Sequence, residues 1–340
     1  MQEINQLDLF SGIGGFHLGF ERAGYKVNSY FSEVDKHAVA VYKNQFKNST
    51  YVGSVTDVRG EDLPRIDLIT FGSPCQDFSL AGKRKGMEGE RSSLITEAIR
   101  LVHECRPRVF IWENVKGTFS SNNGADFWAI IQAFANIGGY RCEWQLCNTS
   151  WFLPQNRERI YFVGYLAETR GDWRGVFPIG ENDRKIDNGI ARGNQYAQTL
   201  TARYFASTAQ GSYIGERNEI QEIKVKSATS KEAVVEPTTC IGGLQKNAAH
   251  FEEKSPALTS AMGMGGGHTP IVDQPNYRIR RLTPIECERL QGFPDNHTEY
   301  GNYDGEVKKM SNTQRYKQCG NAVTVDVVQA IANKLHPLFQ

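Results

Sequence analysis

Cys75 is the residue of this chain best suited to covalent chemistry. It follows Pro74, just after an apolar run at 67–71 whose β-branched and aromatic residues are typical of a strand buried in a parallel sheet. Cys75 is therefore expected at the carboxyl end of a strand, where open α/β sheets bring catalytic groups together. A basic, glycine-flanked segment follows at 83–85, and nearby cations favour the nucleophilic thiolate. The alternative is that Cys75 is a small buried hydrophobe.

A carboxylate and two guanidinium groups lie at other predicted strands. Glu113 follows a second apolar run, 108–112, and a carboxylate there is costly to bury unless it is paired, protonated or used in a reaction. Helix capping by Asn114 is the competing explanation for this segment. Arg157 and Arg159 border a later strand, where they form either a solvated edge or a clamp for an oxyanion or a phosphate. The strand pattern leaves both possibilities open.

A second candidate site begins at the glycine turn, residues 10–15, which joins a predicted strand to an amphipathic run. Glycines allow the backbone to turn tightly and to approach a ligand at a helix N-terminus. His17 replaces the third glycine of the dinucleotide fingerprint, which argues against a nicotinamide enzyme. Glu33 follows the second predicted strand and is placed to bind the hydroxyls of a ribose. Helix capping is the alternative for Glu33, and it is the role that we expect of Asp35.

These side chains can meet only if several strands end at one end of a sheet. Short apolar strands alternate with amphipathic helices over 1–167, which predicts an α/β domain with a mostly parallel sheet and helices on both faces. A weaker strand is predicted over 51–55. A capping-box pattern predicts a helix over 284–291, and apolar spacing predicts a C-terminal helix over 325–335 that packs on the first domain. That domain is therefore expected to be discontinuous and to include 312–340.

Residues 168–311 form the second predicted domain. Through about residue 274 they are rich in Gly, Thr, Ser, Asn and Gln, with short β-like runs, which indicates a smaller, loop-rich and β-rich lobe. A chain of 340 residues with 39% hydrophobic residues is long enough for a main domain and such a lobe.

Composition and charge restrict the class of protein. The seven cysteines include no Cys-x-x-Cys pair, and the chain begins without a basic and apolar leader, so we expect a reducing cytoplasm, no disulfide framework and no structural zinc. No apolar run reaches membrane-spanning length. The net charge of +1 neither requires nor excludes a polyanionic partner.

The motifs of this chain, taken in order, resemble the motif series of the DNA cytosine-5 methyltransferase family. They are Asp8-Leu9-Phe10-Ser11-Gly12-Ile13-Gly14-Gly15-Phe16, Gly72-Ser73-Pro74-Cys75-Gln76, Glu113-Asn114-Val115, Gln155-Asn156-Arg157-Glu158-Arg159, Arg281-Leu282-Thr283-Pro284 with Glu286-Cys287 and Gly292-Phe293-Pro294, and Gly320-Asn321-Ala322-Val323. The resemblance covers nearly the whole chain except about 168–274, which corresponds to the variable target-recognition region of that family.

The resemblance implies a Rossmann-like, S-adenosylmethionine-dependent methyltransferase domain, with S-adenosyl-L-homocysteine as product and without a metal. It implies that the Cys75 thiolate adds to C6 of a flipped-out cytosine while Glu113 donates a hydrogen bond or a proton to N3. Arg159, and with it Arg157, would hold the base carbonyl and Glu113.

Cofactor and DNA contacts are carried over from the resemblance residue by residue. Val34 stands where a large side chain often stacks on adenine in the family, and Ser54 stands where an aspartate commonly meets the adenine amine. We expect cofactor contacts from Phe10, Ser11, Gly12, Ile13, Gly14, Gly15, Glu33, Val34, Ser54, Val55, Gly72, Pro74, Asn321 and Val323. We expect DNA contacts from Gln76, Ser79, Lys83, Arg84, Lys85, Arg203, Thr259, Arg278 and Arg280.

Double-stranded DNA is the partner that the resemblance predicts, for a monomeric, cytoplasmic enzyme of bacterial or phage origin that does not bind membranes. A cognate restriction endonuclease that acts separately would be a further partner. A cytosine-5 tRNA methyltransferase is the nearest alternative because it shares the motif series, although the long recognition lobe suits sequence-specific reading of a duplex. A DNA-binding protein on a catalytically silent scaffold is the other alternative, and the presence of Cys75, Glu113 and Arg159 argues against it.

Overall fold

The computed structural model describes residues 1–73, 94–119, 125–166, 175–180 and 282–340, together with short strand segments between 239 and 281. The strands are β1 (Gln2–Leu9), β2 (Tyr25–Ser32), β3 (Thr50–Tyr51), β4 (Leu68–Phe71), β5 (Val109–Val115), β6 (Tyr140–Asn148), β7 (Gln155–Asn156), β8 (Glu158–Leu166), β9 (Thr239–Ile241), β10 (His250–Phe251), β11 (Ser255–Pro256), β12 (Ile271–Asp273), β13 (Arg280–Arg281), β14 (Tyr300–Tyr303) and β15 (Glu306–Lys309).

The helices alternate with the first strands and return at the end of the chain. The α-helices are α1 (Gly15–Arg22), α2 (Lys36–Gln45), α3 (Leu94–Cys105), α4 (Ala125–Asn136), α5 (Pro284–Leu290), α6 (Asn312–Asn321) and α7 (Val325–Leu335). Short 3-10 helices span Gly60–Asp62, Lys116–Phe119, Thr149–Trp151 and His336–Leu338.

Within the described part of the chain, a sheet of seven strands has the order β3-β2-β1-β4-β5-β8-β6. Strands β1 to β5 run parallel, whereas β8 pairs antiparallel with both β5 and β6. Leu9, Phe71 and Trp112 are in register near the carboxyl ends of β1, β4 and β5. Because β8 runs the other way, its Arg159 pairs with Val115 at the same end of the sheet. The predicted mostly parallel α/β sheet is confirmed, and one end of it collects several candidate residues.

Helices cover both faces of this sheet. On one face α1 packs against α7, and Phe20 and Val328 are buried in the same core as Ile4 of β1. On the other face Leu101 of α3 and Phe134 of α4 are buried with residues of β4, β5 and β8. The last helix of the chain therefore packs on the first one, at the place that its apolar spacing indicates.

A segment at 175–180 also belongs to the large core. Val176 and Ile179 are buried together with the residues of β1 and α7. The backbone N–H groups of Val176 and Phe177 donate to Glu143 Oε2, at 3.1 and 3.3 Å, and so attach this segment to β6. The predicted boundary at 167 stays a prediction, but these contacts lie beyond it.

The predicted second domain contributes a sheet of four strands in the order β10-β9-β12-β13, paired antiparallel. Strand β11 pairs with β7, which immediately precedes β8 of the large sheet. The hairpin formed by β14 and β15 packs on α2.

The predicted helix starts are confirmed in detail. The Asp35 carboxylate accepts a hydrogen bond from the backbone at the start of α2, and Thr283 and Glu286 form the expected reciprocal capping box at α5. The strand predicted over 51–55 is wrong in its extent, because β3 ends before Gly53, whose φ of 86° does not fit a strand. Helix α6 was not predicted from the sequence.

Candidate active site

The chain that leads to residue 74 leaves the large sheet beside the carboxyl group of Glu113. Gly72 follows β4, and a Cβ atom at this glycine would lie 3.2 Å from Glu113 Oε2. The glycine therefore lets the end of β4 lie close to this side chain of β5. Cys75, three positions further on, lies outside the described residues.

Ser73 is the last described residue before Cys75, and β5 holds it by two side chains. Trp112 Nε1 donates to Ser73 Oγ at 3.1 Å, and Asn114 Nδ2 donates to the Ser73 carbonyl at 3.1 Å. Asn114 Oδ1 in turn accepts from the Val115 N–H at 2.7 Å and from Thr118 Oγ1 at 3.2 Å. The two strands thereby fix the point from which the segment that carries Cys75 departs.

Glu113 is a buried carboxyl beside a guanidinium group. It is 8% exposed, and its Oε1 atom lies 3.1 Å from Arg159 Nε. This approach lacks the geometry of a hydrogen bond, so Arg159 compensates the charge only in part. Burial raises the pKa of Glu113 above its ordinary value, and the positive charges of Arg159 and Arg157 oppose that rise. The carboxyl can therefore keep a proton at a pH where an exposed glutamate is ionised.

Arg157 connects the start of β8 with the C-terminal part of the chain. Its guanidinium group donates to the carbonyl of Gly320 at 3.3 Å and to the carbonyl of Ala322 at 2.9 Å. It is buried, which lowers its pKa to about 10, so it stays cationic at neutral pH. The sequence leads us to expect contacts of Arg157 with Glu113 and with the base, whereas these hydrogen bonds hold the Gly320-Asn321-Ala322 segment.

The glycine turn has an unusual backbone. Phe10, Gly12 and Gly14 all have positive φ, at 52°, 54° and 83°. Phe10 is not a glycine, so its left-handed conformation is strained and persists only because surrounding contacts impose it. Two of these contacts are hydrogen bonds. Ser11 N donates to Ser32 O at 3.1 Å, and Gly12 N donates to the side chain of Glu33, in the connection between β2 and α2.

The three glycines of this turn serve different purposes. A Cβ atom on Gly14 would come within 2.2 Å of the Phe46 ring, and one on Gly15 within 2.6 Å of Val323 Cγ2. Gly14 and Gly15 are therefore required for packing against α2 and the start of α7. Gly12 alone among these three has open space beside it, and Ser11 Oγ is buried there without a hydrogen-bond partner in the described chain. These two features give the turn room and a free polar atom for a ligand.

Glu33 has its carboxylate oriented by backbone N–H groups. Its Oε2 atom accepts from Gly12 N at 3.0 Å, and its Oε1 atom accepts from the N–H groups of Val34 and Asp35 at 2.8 and 2.9 Å. Each carboxylate oxygen has further lone pairs. The glycine turn and Glu33 consequently form one unit at the ends of β1 and β2.

The remaining predicted cofactor residues differ in accessibility. Val34 is 78% exposed beside Glu33, whereas Val55 is buried in the core with α3. Ser54 Oγ pairs with Thr56 Oγ1 at 2.9 Å. Val323 is buried against Gly15, and Asn321 is exposed at the end of α6. The structure thus brings Val323 to the glycine turn, while the Val55 side chain points into the core.

Several predicted residues lie outside the part of the chain that the structure describes. They are Pro74, Cys75, Gln76, Ser79, Lys83, Arg84, Lys85, Arg203, Thr259 and Arg278, and of Arg280 only its place in β13 is described.

Sequence reasoning missed a set of buried polar residues that join the elements around the site. Gln291 Nε2 donates to the Cys319 carbonyl at 2.9 Å, and Gln155 Nε2 donates to the Leu290 carbonyl at 2.6 Å. His297 Nε2 lies 2.8 Å from the Ile13 carbonyl in the glycine turn. Their only sequence signal is a polar residue next to the motifs, which does not distinguish a buried residue from a solvated one.

A family model described as C-5 cytosine-specific DNA methylase matches residues 4–336. The chain belongs to this family. It is a DNA cytosine-5 methyltransferase, in agreement with the resemblance of its motifs.

Relatives of this methyltransferase match it over nearly the whole chain. The type II methyltransferase M.Bsp6I of Bacillus sp. (strain RFL6) is 33% identical, with 96% of this chain and 97% of the relative covered. The type II methyltransferase M1.ScrFI of Lactococcus lactis subsp. cremoris is 32% identical, with 98% of this chain and 78% of the relative covered. The orphan methyltransferase M.SPRI of Bacillus phage SPR is 28% identical, with 98% of both chains covered.

Solved structures of methyltransferases share the fold. The Dnmt2 methyltransferase of S. pombe has a TM-score of 0.64 at 18% identity, with 98% of this chain and 99% of that chain covered. The methyltransferase EhMeth of Entamoeba histolytica has a TM-score of 0.59 at 17% identity, with 100% of this chain and 98% of that chain covered. At these identities the likeness supports the α/β methyltransferase fold.

The described residues include neither a membrane-spanning helix nor a cluster of metal ligands. No helix among them has the length and apolar character needed to cross a membrane. No cluster of three or more His, Cys, Asp or Glu side chains among them could bind a metal ion.

Proposed function

We propose that this methyltransferase modifies C5 of a cytosine in a specific sequence of duplex DNA, through a covalent bond between Cys75 Sγ and cytosine C6. The observation that carries the proposal is the buried carboxyl of Glu113. It lies 3.1 Å from Arg159 and beside Gly72, which leads to Cys75. This combination supports Glu113 as the proton donor, at the strand end from which the segment that carries Cys75 departs.

The reaction needs both groups because cytosine C5 is a weak nucleophile. Addition of the Cys75 thiolate to C6, with transfer of the Glu113 proton to N3, converts the ring to an enamine whose C5 is nucleophilic. S-adenosylmethionine supplies the methyl group when it is bound. Loss of the C5 proton to water and departure of the thiolate from C6 then restore the aromatic ring, and the N3 proton returns to Glu113.

Arg159 has two roles in this proposal. Its charge beside Glu113 limits the rise of the pKa that burial causes, so that the proton is held but can still be transferred. Its guanidinium group also donates to the base carbonyl, which gains negative charge as the thiolate adds to the ring. Arg157 is assigned to the support of the Gly320-Asn321-Ala322 segment, because its described hydrogen bonds run to that backbone.

The residues of the glycine turn fit S-adenosylmethionine. The open space beside Gly12, the buried hydroxyl of Ser11, which has no hydrogen-bond partner among the described residues, and the oriented carboxylate of Glu33 support this assignment. In the proposal the turn holds the methionine end and Glu33 binds the ribose. The further contacts would come from Val34, Ser54, the backbone at Val55, Gly72, Pro74, Asn321 and Val323, with S-adenosyl-L-homocysteine as product.

The target base must leave the duplex to reach a buried carboxyl, which costs a few kcal/mol. We assign the closing of the site and the phosphate contacts to the basic segment 83–85. Sequence-specific reading of base edges is assigned to the predicted second domain, 168–311, in which Arg203, Thr259, Arg278 and Arg280 are the candidate contacts.

The biological role that we propose is protection of DNA in a bacterial or phage-infected cell. The type II and orphan methyltransferases among the relatives, from bacteria and a Bacillus phage, support it. We also propose that the enzyme is a cytoplasmic monomer. A cognate restriction endonuclease would act on the same DNA as a separate protein.

Methylation in a host that lacks cytosine-5 methylation tests this function. Bisulfite sequencing of DNA from cells that express the chain should show 5-methylcytosine at one short sequence, and cells that express the Cys75→Ser variant should show none. In parallel, purified enzyme and labelled cofactor are offered duplex DNA or tRNA. If only tRNA is labelled, the substrate of the enzyme is tRNA and not duplex DNA.

A further inference from the structure

We propose that His297 is a positioning residue for the cofactor, because its imidazole holds the Ile13 carbonyl and keeps the glycine turn in its binding conformation. The inference rests on the proposed function, in which this turn holds the S-adenosyl group. It assigns a role in cofactor affinity to a residue outside the motif series, in the segment between α5 and β14.

The contact between His297 and the turn is buried and well formed. The Nε2 atom lies 2.8 Å from Ile13 O, and the side chain is 4% exposed. A carbonyl oxygen only accepts, so Nε2 carries the proton. The ring packs on Phe293, with 4.5 Å between centroids, and lies near Phe46. Burial lowers the pKa of His297 to about 4, so the imidazole is neutral throughout the physiological range.

The glycine turn needs such support because its backbone is strained. Its positive φ angles alternate at Phe10, Gly12 and Gly14, and the first of these belongs to a residue with a side chain. Described hydrogen bonds from Ser11 N and Gly12 N tie the turn to β2 and to Glu33. The His297 bond restrains the turn from the opposite part of the chain, 284 residues further along.

The segment that presents His297 is itself fixed by a buried carboxylate. Glu288 is fully buried and accepts from Asn296 N at 2.8 Å and from Thr298 N at 2.9 Å. Arg315 Nη2 lies 2.9 Å from Glu288 Oε1, and this positive charge neutralises the carboxylate. The residues on both sides of His297 are therefore anchored to α5 and α6, and the imidazole is directed at the turn before any ligand binds.

Loss of this bond should act on cofactor affinity more than on the fold. An unpaired buried carbonyl is unfavourable, so the turn would spend more time in conformations that do not bind the cofactor. The apparent dissociation constant rises in inverse proportion to the fraction of molecules that stay in the competent state. DNA binding and the chemical step at saturating cofactor use other residues and should be retained.

A matched pair of variants separates the hydrogen bond from packing. His297→Phe keeps an aromatic ring but has no N–H, whereas His297→Gln keeps a donor near the position of Nε2. Calorimetry with S-adenosyl-L-homocysteine and the full chain should show affinity weakened about tenfold or more in the Phe variant and within about threefold of wild type in the Gln variant. KM for S-adenosylmethionine should rise in the Phe variant while kcat stays near that of wild type.

Two further variants make the result decisive. Arg289→Ala, in the same region but with its ion pair on the surface, should bind S-adenosyl-L-homocysteine like wild type. His297→Met removes the donor in another way if the Phe variant does not fold. Wild-type affinity in the folded Phe or Met variant, or a Gln variant weaker than the Phe variant, would overturn the inference. Failure of the wild-type chain to bind S-adenosyl-L-homocysteine would instead overturn the proposed cofactor site.

Discussion

At the level of single residues, Glu113 has two arginines near it, and burial still raises its pKa. An ionised carboxylate would accept hydrogen bonds but could not deliver a proton to N3 of cytosine. The partial compensation by Arg159, at 3.1 Å without the geometry of a hydrogen bond, leaves the carboxyl in a state suited to donation. In the proposed mechanism, the proton on Glu113 therefore depends on the balance between burial and the charges of Arg159 and Arg157.

Replacement of Glu113 by Gln tests the proton donor. The amide can donate a hydrogen bond but not a proton, so kcat should fall by a factor of about 10² to 10⁴. Single-turnover methylation of duplex DNA measures the effect. Glu158→Gln is the matched control, since Glu158 pairs with Lys116 on the surface, and it should keep its activity. A Glu113→Gln enzyme with the wild-type rate would contradict the assignment.

The pH dependence of kcat tests the role of Arg159. Because Glu113 must be protonated, the rate should fall as pH rises through the pKa of this carboxyl in the enzyme–DNA complex. Arg159 lowers that pKa, so Arg159→Met should move the falling limb to higher pH and also reduce the maximal rate. A limb that stays in place, or moves to lower pH, would show that Arg159 does not act on the Glu113 proton.

At the level of elements, Arg159 at the start of β8 and Arg157 just before that strand reach different parts of the molecule. Arg159 lies beside Glu113, whereas Arg157 donates to the carbonyls of Gly320, in the last turn of α6, and Ala322, just after it. The start of one strand thus connects the predicted base site with the C-terminal segment of the predicted cofactor site. The antiparallel direction of β8 makes this possible, since it brings the start of the strand to the ends of β4 and β5.

Arg157→Lys tests this connection. A single ammonium group cannot reproduce a planar guanidinium that donates to two carbonyls, so the Gly320-Asn321-Ala322 segment should loosen. We expect KM for S-adenosylmethionine to rise about tenfold, which corresponds to about 1.4 kcal/mol, while kcat changes little. Arg289→Lys, on α5 in a surface ion pair with Asp295, is the control. A loss of kcat with an unchanged KM would contradict this role and would support contacts of Arg157 with the base and Glu113.

The elements also show which part of the site can be predicted from the sequence. Apolar runs, Gly and Pro positions and capping patterns are local signals, and they predicted the cap at Asp35 and the strands β4 and β5. Strand β5 extends beyond its predicted end, because it includes Glu113 and continues to Val115. The partners of Arg157 and His297 could not be predicted, because they lie 163 and 284 residues away along the chain. The glycine turn was predicted as a ligand site, but steric contacts with Phe46 and Val323 explain two of its glycines.

At the level of the whole molecule, the two ends of the chain share one core. Helix α7 packs on α1, and residues of β1 are buried with residues of α7. The glycine turn near the N-terminus therefore packs against Val323 from the C-terminal part of the chain. His297, which belongs to the predicted second domain at 168–311, also contacts the glycine turn, so residues from three distant parts of the chain meet at the predicted cofactor site.

A trap for the covalent intermediate tests the central claim most directly. Duplex DNA in which 5-fluorocytosine replaces cytosine is incubated with S-adenosylmethionine and the purified chain; the C5 fluorine cannot leave as a proton does, so the bond to C6 persists. We expect a denaturation-resistant adduct whose modified peptide contains Cys75, and no adduct with Cys75→Ser, which should still bind DNA. No adduct with the wild-type chain, or an adduct at another cysteine, would contradict the account.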